Sequence, residues 1–297
     1  MNVSPASISL GIASLKLQAI NLLAAPASDF NSVFALAASN PFQDSNSFST
    51  DPLTSIIQSS GVKNGFMPAG RNMSLFDPES AYKMMTLINN KDVLYKAQFS
   101  ELSQMKTGVA QMQEAGQGLG GITASTGNDS IKSSLQGFAD QYNSWVQRFN
   151  PDMQSGGLLA GTQAAQVSRY ELEQGVENVF NGARDGLHGL GNLGITVDPD
   201  TKLISLDTAK LDAVLAANKQ GAVDTIQEFS ANFAKSASLL NSDNNFIPRQ
   251  LDNLNRVIHY IADNNTSLQA EFGTGDAAKP SGQVAQALAA YNQAYGV

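Results

Sequence analysis

Few residues in this sequence have types and spacing that could carry out chemistry. There are two histidines, His188 and His259, and no cysteine. Neither histidine has a second ligand residue at the spacing that metal sites use. Without cysteine there is no disulfide, thiolate nucleophile or cysteine-based zinc site. Both histidines are therefore interpreted as structural, and no catalytic, cofactor-binding or metal site is predicted.

A short acidic segment is the remaining candidate for ion binding. Asp198, Asp200 and Thr201 have the spacing that begins a calcium loop of the EF-hand type. Such a loop needs glycine at its sixth position and glutamate at its twelfth, where this chain has Leu203 and Ala209. The acidic residues are therefore predicted to form a turn, and the chain is not predicted to be an enzyme.

The charge balance limits the possible partners. The net charge is −8, the isoelectric point is about 4.7, and charged residues make up only 15% of the chain. Lysine and arginine are not clustered, so neither nucleic-acid binding nor attraction to an anionic membrane is expected. No apolar run approaches the roughly 20 residues that span a bilayer, so membrane insertion is not expected either.

Both ends of the chain have apolar residues at helical spacing. Residues 1–24 and 276–297 each predict an amphipathic helix. Residues 25–76, rich in proline, serine and asparagine, predict a flexible linker. Each end helix is too short to be stable alone in water, so pairing within an assembly is predicted. The predicted assembly residues of these helices are Ile8, Ile12, Leu15, Leu22, Val284, Leu288 and Tyr291.

Residues 77–275 predict a helical core with two long helices. Residues 77–119 repeat apolar side chains every 3.5 residues over five heptads, and residues 248–270 do so again. A coiled coil is favoured because a stripe of apolar side chains with this repeat stabilises a helix only when a second helix packs against it. An ordinary long core helix is the alternative. The predicted coiled-coil and assembly residues are Ile88, Tyr95, Leu102, Met105, Val109, Met112, Leu251, Leu254, Ile258 and Ile261.

Shorter elements are predicted between the two long helices. The glycine-rich residues 116–128 predict a linker. Further helices are predicted at about 129–149, ending at Asn150-Pro151, and at about 162–182, with Tyr170 and Phe180 among its apolar residues. Two more are expected, one beginning after the capping residue Asp207 and one at about 221–240.

Alternating apolar residues on either side of Asp198-Pro199-Asp200 predict a β-hairpin at about 194–206. The predicted fold class is therefore mainly α, an elongated coiled-coil or helical bundle with one small β-hairpin.

The region around this hairpin resembles a known family. Leu-Gly-Ile-Thr at 193–196, the acidic turn, and Lys-Leu-Ile-Ser-Leu-Asp from residue 202 are similar to the C-terminal region of flagellar hook-associated protein 2, the filament cap. The segment Phe138-Ala-Asp-Gln-Tyr-Asn-Ser-Trp-Val146 also resembles a Phe-x-x-x-Tyr-Asn-x-x-Val helix of that family. One departure is Thr201, which stands where the family usually has glycine.

The resemblance implies a role. It implies a secreted, extracellular structural protein of the bacterial flagellum that forms a homo-oligomer. Such a protein would hold flagellin-like or hook-associated subunits at the growing end of the filament. The family's large β-rich domains before the Tyr-Asn helix have no counterpart here, so the chain looks like a reduced relative. A secreted effector or adhesin built on the same helical core is the alternative.

Overall fold

The computed structural model describes residues 78–296, of which 75% are helical. This confirms the predicted fold class, mainly α with one small hairpin. The predicted helix 1–24, with Ile8, Ile12, Leu15 and Leu22, and the predicted linker 25–76 lie outside the described residues. The elements are α1 Pro78–Leu119, α2 Asn128–Met153, α3 Gln163–Glu177, a 3-10 helix Ala183–Asp185, α4 Gly189–Asn192, β1 Ile195–Val197, β2 Ile204–Leu206, α5 Thr208–Leu240, α6 Phe246–Phe272 and α7 Gly282–Tyr295.

The described residues belong to two compact units. The first contains residues 78–99 and 252–296, and the second contains residues 100–251. None of the described helices is long and apolar enough to cross a membrane.

In the first unit, the loop that follows α6 is tied to α1 by hydrogen bonds. The Asn89 side-chain amide donates to the carbonyl oxygens of Thr274, at 3.1 Å, and Asp276, at 2.8 Å. Tyr82 donates its hydroxyl to the Asp276 carboxylate at 2.7 Å. Gly275 has a φ of +62°, and a Cβ there would lie 2.5 Å from the backbone nitrogen of Thr86. The close approach of the loop to α1 therefore requires glycine at position 275.

In the second unit, three phenylalanines form the centre of the core. Phe138 packs edge-on against Phe229 and Phe233, with ring centroids 5.1 and 5.2 Å apart. Phe233 also has a glycine on each side, because a Cβ at Gly116 would lie 2.7 Å from its ring and one at Gly175 would lie 2.9 Å away. These two glycines leave the room that the Phe233 ring occupies.

The glycine-rich segment 116–128 is therefore not the linker that was predicted. Helix α1 continues through Gly116 and Gly118 to Leu119, because Gly116 packs against Phe233 and favourable packing outweighs the poor helix propensity of glycine. The eight residues 120–127 that follow form turns with Ile122 buried. The carbonyl oxygen of Ile122 accepts a hydrogen bond from the Gln227 side chain at 2.7 Å.

Two predicted helix ends differ from the structure. Helix α2 continues past Pro151 to Met153; proline in this last turn is tolerated because Met153 is buried and Arg148 pairs with Asp152 at 3.0 Å. Helix α3 ends at Glu177 rather than near residue 182. It ends there because the Asn178 side chain accepts a hydrogen bond from the backbone N–H of Phe180, a local turn that competes with helix.

The predicted pair of helices after the hairpin forms one kinked helix, α5. Asp207 caps its start, accepting hydrogen bonds from the backbone N–H groups of Ala209 and Lys210 at 3.0 Å. Asn218 leaves the helical conformation, and its side chain accepts from the N–H of Gly221 at 3.0 Å, which caps the second segment. The break expected near residue 220 is thus present as a kink.

The hairpin has a turn held by one carboxylate. Asp198 Oδ1 accepts hydrogen bonds from the backbone N–H of Asp200 and from both the N–H and the hydroxyl of Thr201, at 2.7 to 3.0 Å. These donors hold the pKa of the Asp198 carboxyl below its usual value. Lys202 adopts the left-handed conformation, with φ of +61°, at the end of a turn in which Thr201 replaces the family's usual glycine.

Candidate assembly surface

The predicted coiled-coil and assembly residues lie inside the described chain. All of them except Leu251, which is half-buried, are at most 5% exposed. Their apolar surface is thus covered by the chain itself. Their predicted role in contacts between copies stays a prediction, and a surface for such contacts has to be sought elsewhere. The buried members are Ile88, Tyr95, Leu102, Met105, Val109, Met112, Leu254, Ile258 and Ile261.

The predicted assembly residues of the C-terminal helix lie on α7. Tyr291 is buried and packs edge-on against Phe99 of α1, with ring centroids 6.0 Å apart, and stacks on Tyr295. Val284 and Leu288 are half-buried. Helix α7 therefore has a partner within its own unit, and its predicted pairing with the N-terminal helix remains untested because residues 1–24 are not described.

The two segments that carry the family resemblance are joined by a pair of hydrogen bonds. Asn143, from the Tyr-Asn motif on α2, donates its side-chain amide to the carbonyl oxygen of Ile204 at 2.8 Å. Its side-chain oxygen accepts from the N–H of Ile204, also at 2.8 Å. Ile204 begins β2, so the asparagine satisfies the free edge of the hairpin as a neighbouring strand would. The asparagine thereby fixes the hairpin onto the helical body.

A charged cluster lies between α1 and α2. Arg148 Nη2 lies 2.7 Å from Glu101 Oε1, and Nη1 lies 3.0 Å from Asp152 Oδ2. Both carboxylates are buried while the arginine is half exposed. Burial raises the pKa of the Glu101 carboxyl and the neighbouring Asp152 adds to this, while Arg148 acts in the opposite direction. Two buried carboxylates therefore share one cation.

Sequence reasoning did not anticipate the surface formed by residues 178–189, here called the outer loop. Its backbone is anchored to α5: the N–H of Gly182 donates to the Glu228 carboxylate at 2.8 Å, and the side chain of Asn181 accepts from Asn232 at 2.8 Å. Gly182 has a φ of +78°, and a Cβ there would lie 1.9 Å from the hydroxyl oxygen of Thr225. The loop is thus held tightly against the helix.

The anchored loop displays apolar side chains to solvent. Phe180 is 80% exposed and Val179 is 53% exposed. Tyr170, on the outward stripe of α3 with Gln174 and Glu177, is 60% exposed. The sequence predicted Phe180 among the apolar residues of a helix reaching about residue 182, whereas the helix ends at Glu177, the Asn178 side chain forms a turn, and the Phe180 ring is exposed. The signal for this turn in the sequence was Asn178, with Gly182 four residues further along the chain.

An open groove lies between α1 and α2 in the same unit. It has a volume of about 590 Å³ and is lined by Gln111, Glu114, Ala115, Gly118, Leu119, Ser134, Gly137, Phe138 and Gln141. A Cβ at Gly118 or Gly137 would meet nothing within 4 Å. A second groove, between α1 and α5, has a volume of about 440 Å³; it contains Ala231 and Leu239, and Lys235 is its charged residue.

The histidines are not brought together with other ligands. His188 and His259 are both exposed, and the backbone N–H of His188 donates to the Asn192 side chain at 3.0 Å. Within residues 78–296 no group of three or more histidine, aspartate or glutamate side chains could hold a metal ion.

Comparison with known families identifies the helical body. Residues 110–281 match the model of the flagellar hook-associated protein 2 C-terminus, which places the chain among structural proteins of the bacterial flagellum. The match covers more than half of the chain, including both the Asn143 helix and the hairpin. The chain belongs to the flagellar hook-associated protein 2 family, whose members oligomerise and lie at the filament tip outside the cell. Neither curated proteins nor solved structures gave a significant match.

Proposed function

We propose that this chain is a secreted, self-assembling component of the flagellar filament tip that supports addition of subunits at the growing end. The observation that carries the proposal is the family match over residues 110–281. The Asn143–Ile204 hydrogen bonds support it, because they join the two segments that carry the resemblance into one body. The partners are further copies of the chain and flagellin-like or hook-associated subunits.

The reduced size of the chain sets a condition on the mechanism. Only residues 120–127 separate α1 from α2, where the cap family has large β-rich domains. Contacts between copies therefore have to come from the helical body or from the terminal segments. The exposed apolar residues of the outer loop supply such a contact surface without unfolding any part of the body.

The test is assembly of the purified full chain. Sedimentation velocity over a range of concentrations is expected to show discrete oligomers, and electron microscopy is expected to show rings or particles at filament ends when flagellin-like subunits are added. A chain that stays monomeric and does not bind filament ends would contradict the proposal. Binding of such a monomer to a cell or abiotic surface would favour the effector or adhesin alternative.

A further inference from the structure

We infer that α7 of one copy packs against Phe99 of a second copy, an exchange of one helix between neighbouring chains. This inference rests on the proposed function, since it names a contact through which the chain self-assembles. Within one copy α7 already makes this contact, so the exchanged arrangement uses the same fit. Exchange of an identical element is a low-cost route to assembly, because it requires no new complementary surface.

The contact of α7 with α1 contains three aromatic rings. Phe99 packs edge-on against Tyr291 and Tyr295, with ring centroids 6.0 and 5.7 Å apart, and the two tyrosines stack at 4.7 Å. All three residues belong to the first compact unit. Edge-to-face and stacked rings have preferred geometries, so the three rings specify how α7 docks. Phe99 can therefore receive α7 of another copy as specifically as its own.

The docking of α7 depends on apolar contacts. Among the described residues, no side chain of α7 makes a hydrogen bond or an ion pair, and the Ser281 side chain that precedes it makes no capping bond. Its buried residues are Ala287 and Tyr291. Release of such a helix leaves no side-chain hydrogen bond broken. Release from its own chain therefore costs only apolar contacts, which a second copy restores.

The link before α7 allows the helix to leave while the preceding loop stays in place. The last anchor to α1 is Asp276, whose N–H donates to the Thr86 hydroxyl at 2.8 Å and whose carboxylate accepts from Tyr82. Residues 277–281 are exposed except for the half-buried Ala278, and none of their N–H groups donates a hydrogen bond within the described chain. Fully extended, five residues span about 17 Å. Helix α7 can therefore reach an adjacent copy without loss of the Asp276 anchor.

The exchanged arrangement also offers cover for apolar surface that a single copy leaves in water. Tyr295 is 56% exposed, and Val284 and Leu288 on the same helical stripe are half-buried. When α7 bridges two copies, the second body lies beside this stripe. The aromatic contact is the same in both arrangements, so the additional apolar burial favours exchange.

Concentration decides between the closed and the exchanged arrangement. A short link holds α7 at an effective concentration on the order of millimolar near its own Phe99. Dilute chains are therefore expected to be closed monomers, and exchange is expected where copies accumulate. Each copy gives one helix and receives one, so a closed ring leaves no helix and no Phe99 without a partner. Rings are therefore favoured over open chains, which leave one of each unpaired.

Complementation between two defective variants tests the exchange. F99A removes the receiving ring and keeps α7, whereas Y291A keeps the receiving ring and removes the central ring of α7. Each variant alone is expected to lower the oligomeric fraction of the full chain by about tenfold in sedimentation velocity. Their equimolar mixture restores one contact per pair and is expected to contain mixed dimers.

The control for complementation is Q286A, on the exposed face of α7, which should assemble as wild type does. Single variants F99A or Y291A that assemble as well as Q286A would overturn the inference. A mixture of the two without mixed dimers would overturn it as well.

Cross-linking gives a second measurement, because the chain has no cysteine of its own. A full-length F99C/Y295C variant is treated with a short bis-maleimide; T86C/D276C is the control, because its contact lies before the link. In the oligomeric fraction, F99C/Y295C is expected to give covalent multimers and the control only cross-links within one chain. Cross-links of F99C/Y295C confined to single chains, or multimers from the control, would overturn the exchange alone. A wild-type chain that never assembles would overturn the proposed function as well.

Discussion

Phe233 and Phe180 belong to the same compact unit and have opposite surroundings. Phe233 is 1% exposed between Gly116 and Gly175, each of which would clash with the ring if it carried a Cβ. Phe180 is 80% exposed in a loop that hydrogen bonds to Glu228 and Asn232 tie to α5. Folding of the chain depends on the first ring and gains almost nothing from the second. The difference separates residues that stabilise the body from residues available for contact.

A large loss of stability is expected when the junction of α2 with the hairpin is broken. N143A removes both hydrogen bonds to Ile204 and leaves the backbone N–H and carbonyl groups of Ile204 without those partners. Unsatisfied buried groups cost about 1–3 kcal/mol each, so the free energy of unfolding should fall by roughly 2–4 kcal/mol in urea titration. S144A is the control, because that exposed hydroxyl bonds only to its own helix. Equal effects of the two variants would contradict the role of Asn143.

The space around Phe233 can be tested with two neighbouring glycines of α1. G116A should lower the free energy of unfolding by about 1–3 kcal/mol, because the new methyl group would overlap the Phe233 ring. G118A should instead raise it by up to about 1 kcal/mol, since that position is open and alanine favours helix. Thermal or urea unfolding of both variants measures the difference. A G116A variant as stable as G118A would show that the core is not tightly packed there.

The charged cluster of α1 and α2 should make the stability of the interior depend on pH. Because the pKa of Glu101 is raised in the folded state, its contribution to stability is present below its unfolded pKa and is lost as pH rises through the folded pKa. E101Q should therefore gain stability relative to wild type as pH rises from 4.5, the ordinary value, to about 7.5. Urea midpoints at both pH values measure the change, with E114Q, on exposed surface, as control. A difference between E101Q and wild type that is the same at both pH values would contradict the raised pKa.

The smallest effect on stability is expected at the outer loop. F180A should change the free energy of unfolding by no more than about 0.5 kcal/mol, because the exposed ring has little contact to lose. F233A should lower it by roughly 3–5 kcal/mol through the cavity it leaves. Urea unfolding of both variants measures the difference in the free energy of unfolding. A strong destabilisation by F180A would show that its ring belongs to the core and not to a contact surface.

Much of the fold could be predicted from the sequence because local signals agree with the packing there. The apolar spacing of residues 77–119, the Asp207 cap and the acidic hairpin turn each produced the predicted element. Gly116 was misjudged because a glycine-rich segment has the same composition whether it is a linker or a helix packed against an aromatic ring. The difference depends on Phe233, more than a hundred residues further along the chain, which periodicity cannot reveal.

The candidate surface was harder to predict than the fold. Apolar spacing identifies side chains that need to be covered by other residues. On α1 and α6 the chain itself covers them. The spacing therefore predicted which residues are buried in the core better than it predicted which residues contact another copy. Phe180 was placed in a predicted helix because the helical period was extended past Asn178. Its exposure follows from one asparagine turn and from the Gly182 anchor, both of which depend on contacts with α5.

The turn between α1 and α2 has a consequence for domain insertion in proteins of this kind. The N–H of Thr126 donates to the carbonyl oxygen of Thr123 at 2.9 Å, and Ala124 and Ser125 are exposed at the tip. Chain leaving the body there returns to it at nearly the same point. A gene segment inserted at this tip would add a whole domain without a break in either helix. The short turn is thus a position at which an inserted domain would leave the helical body intact.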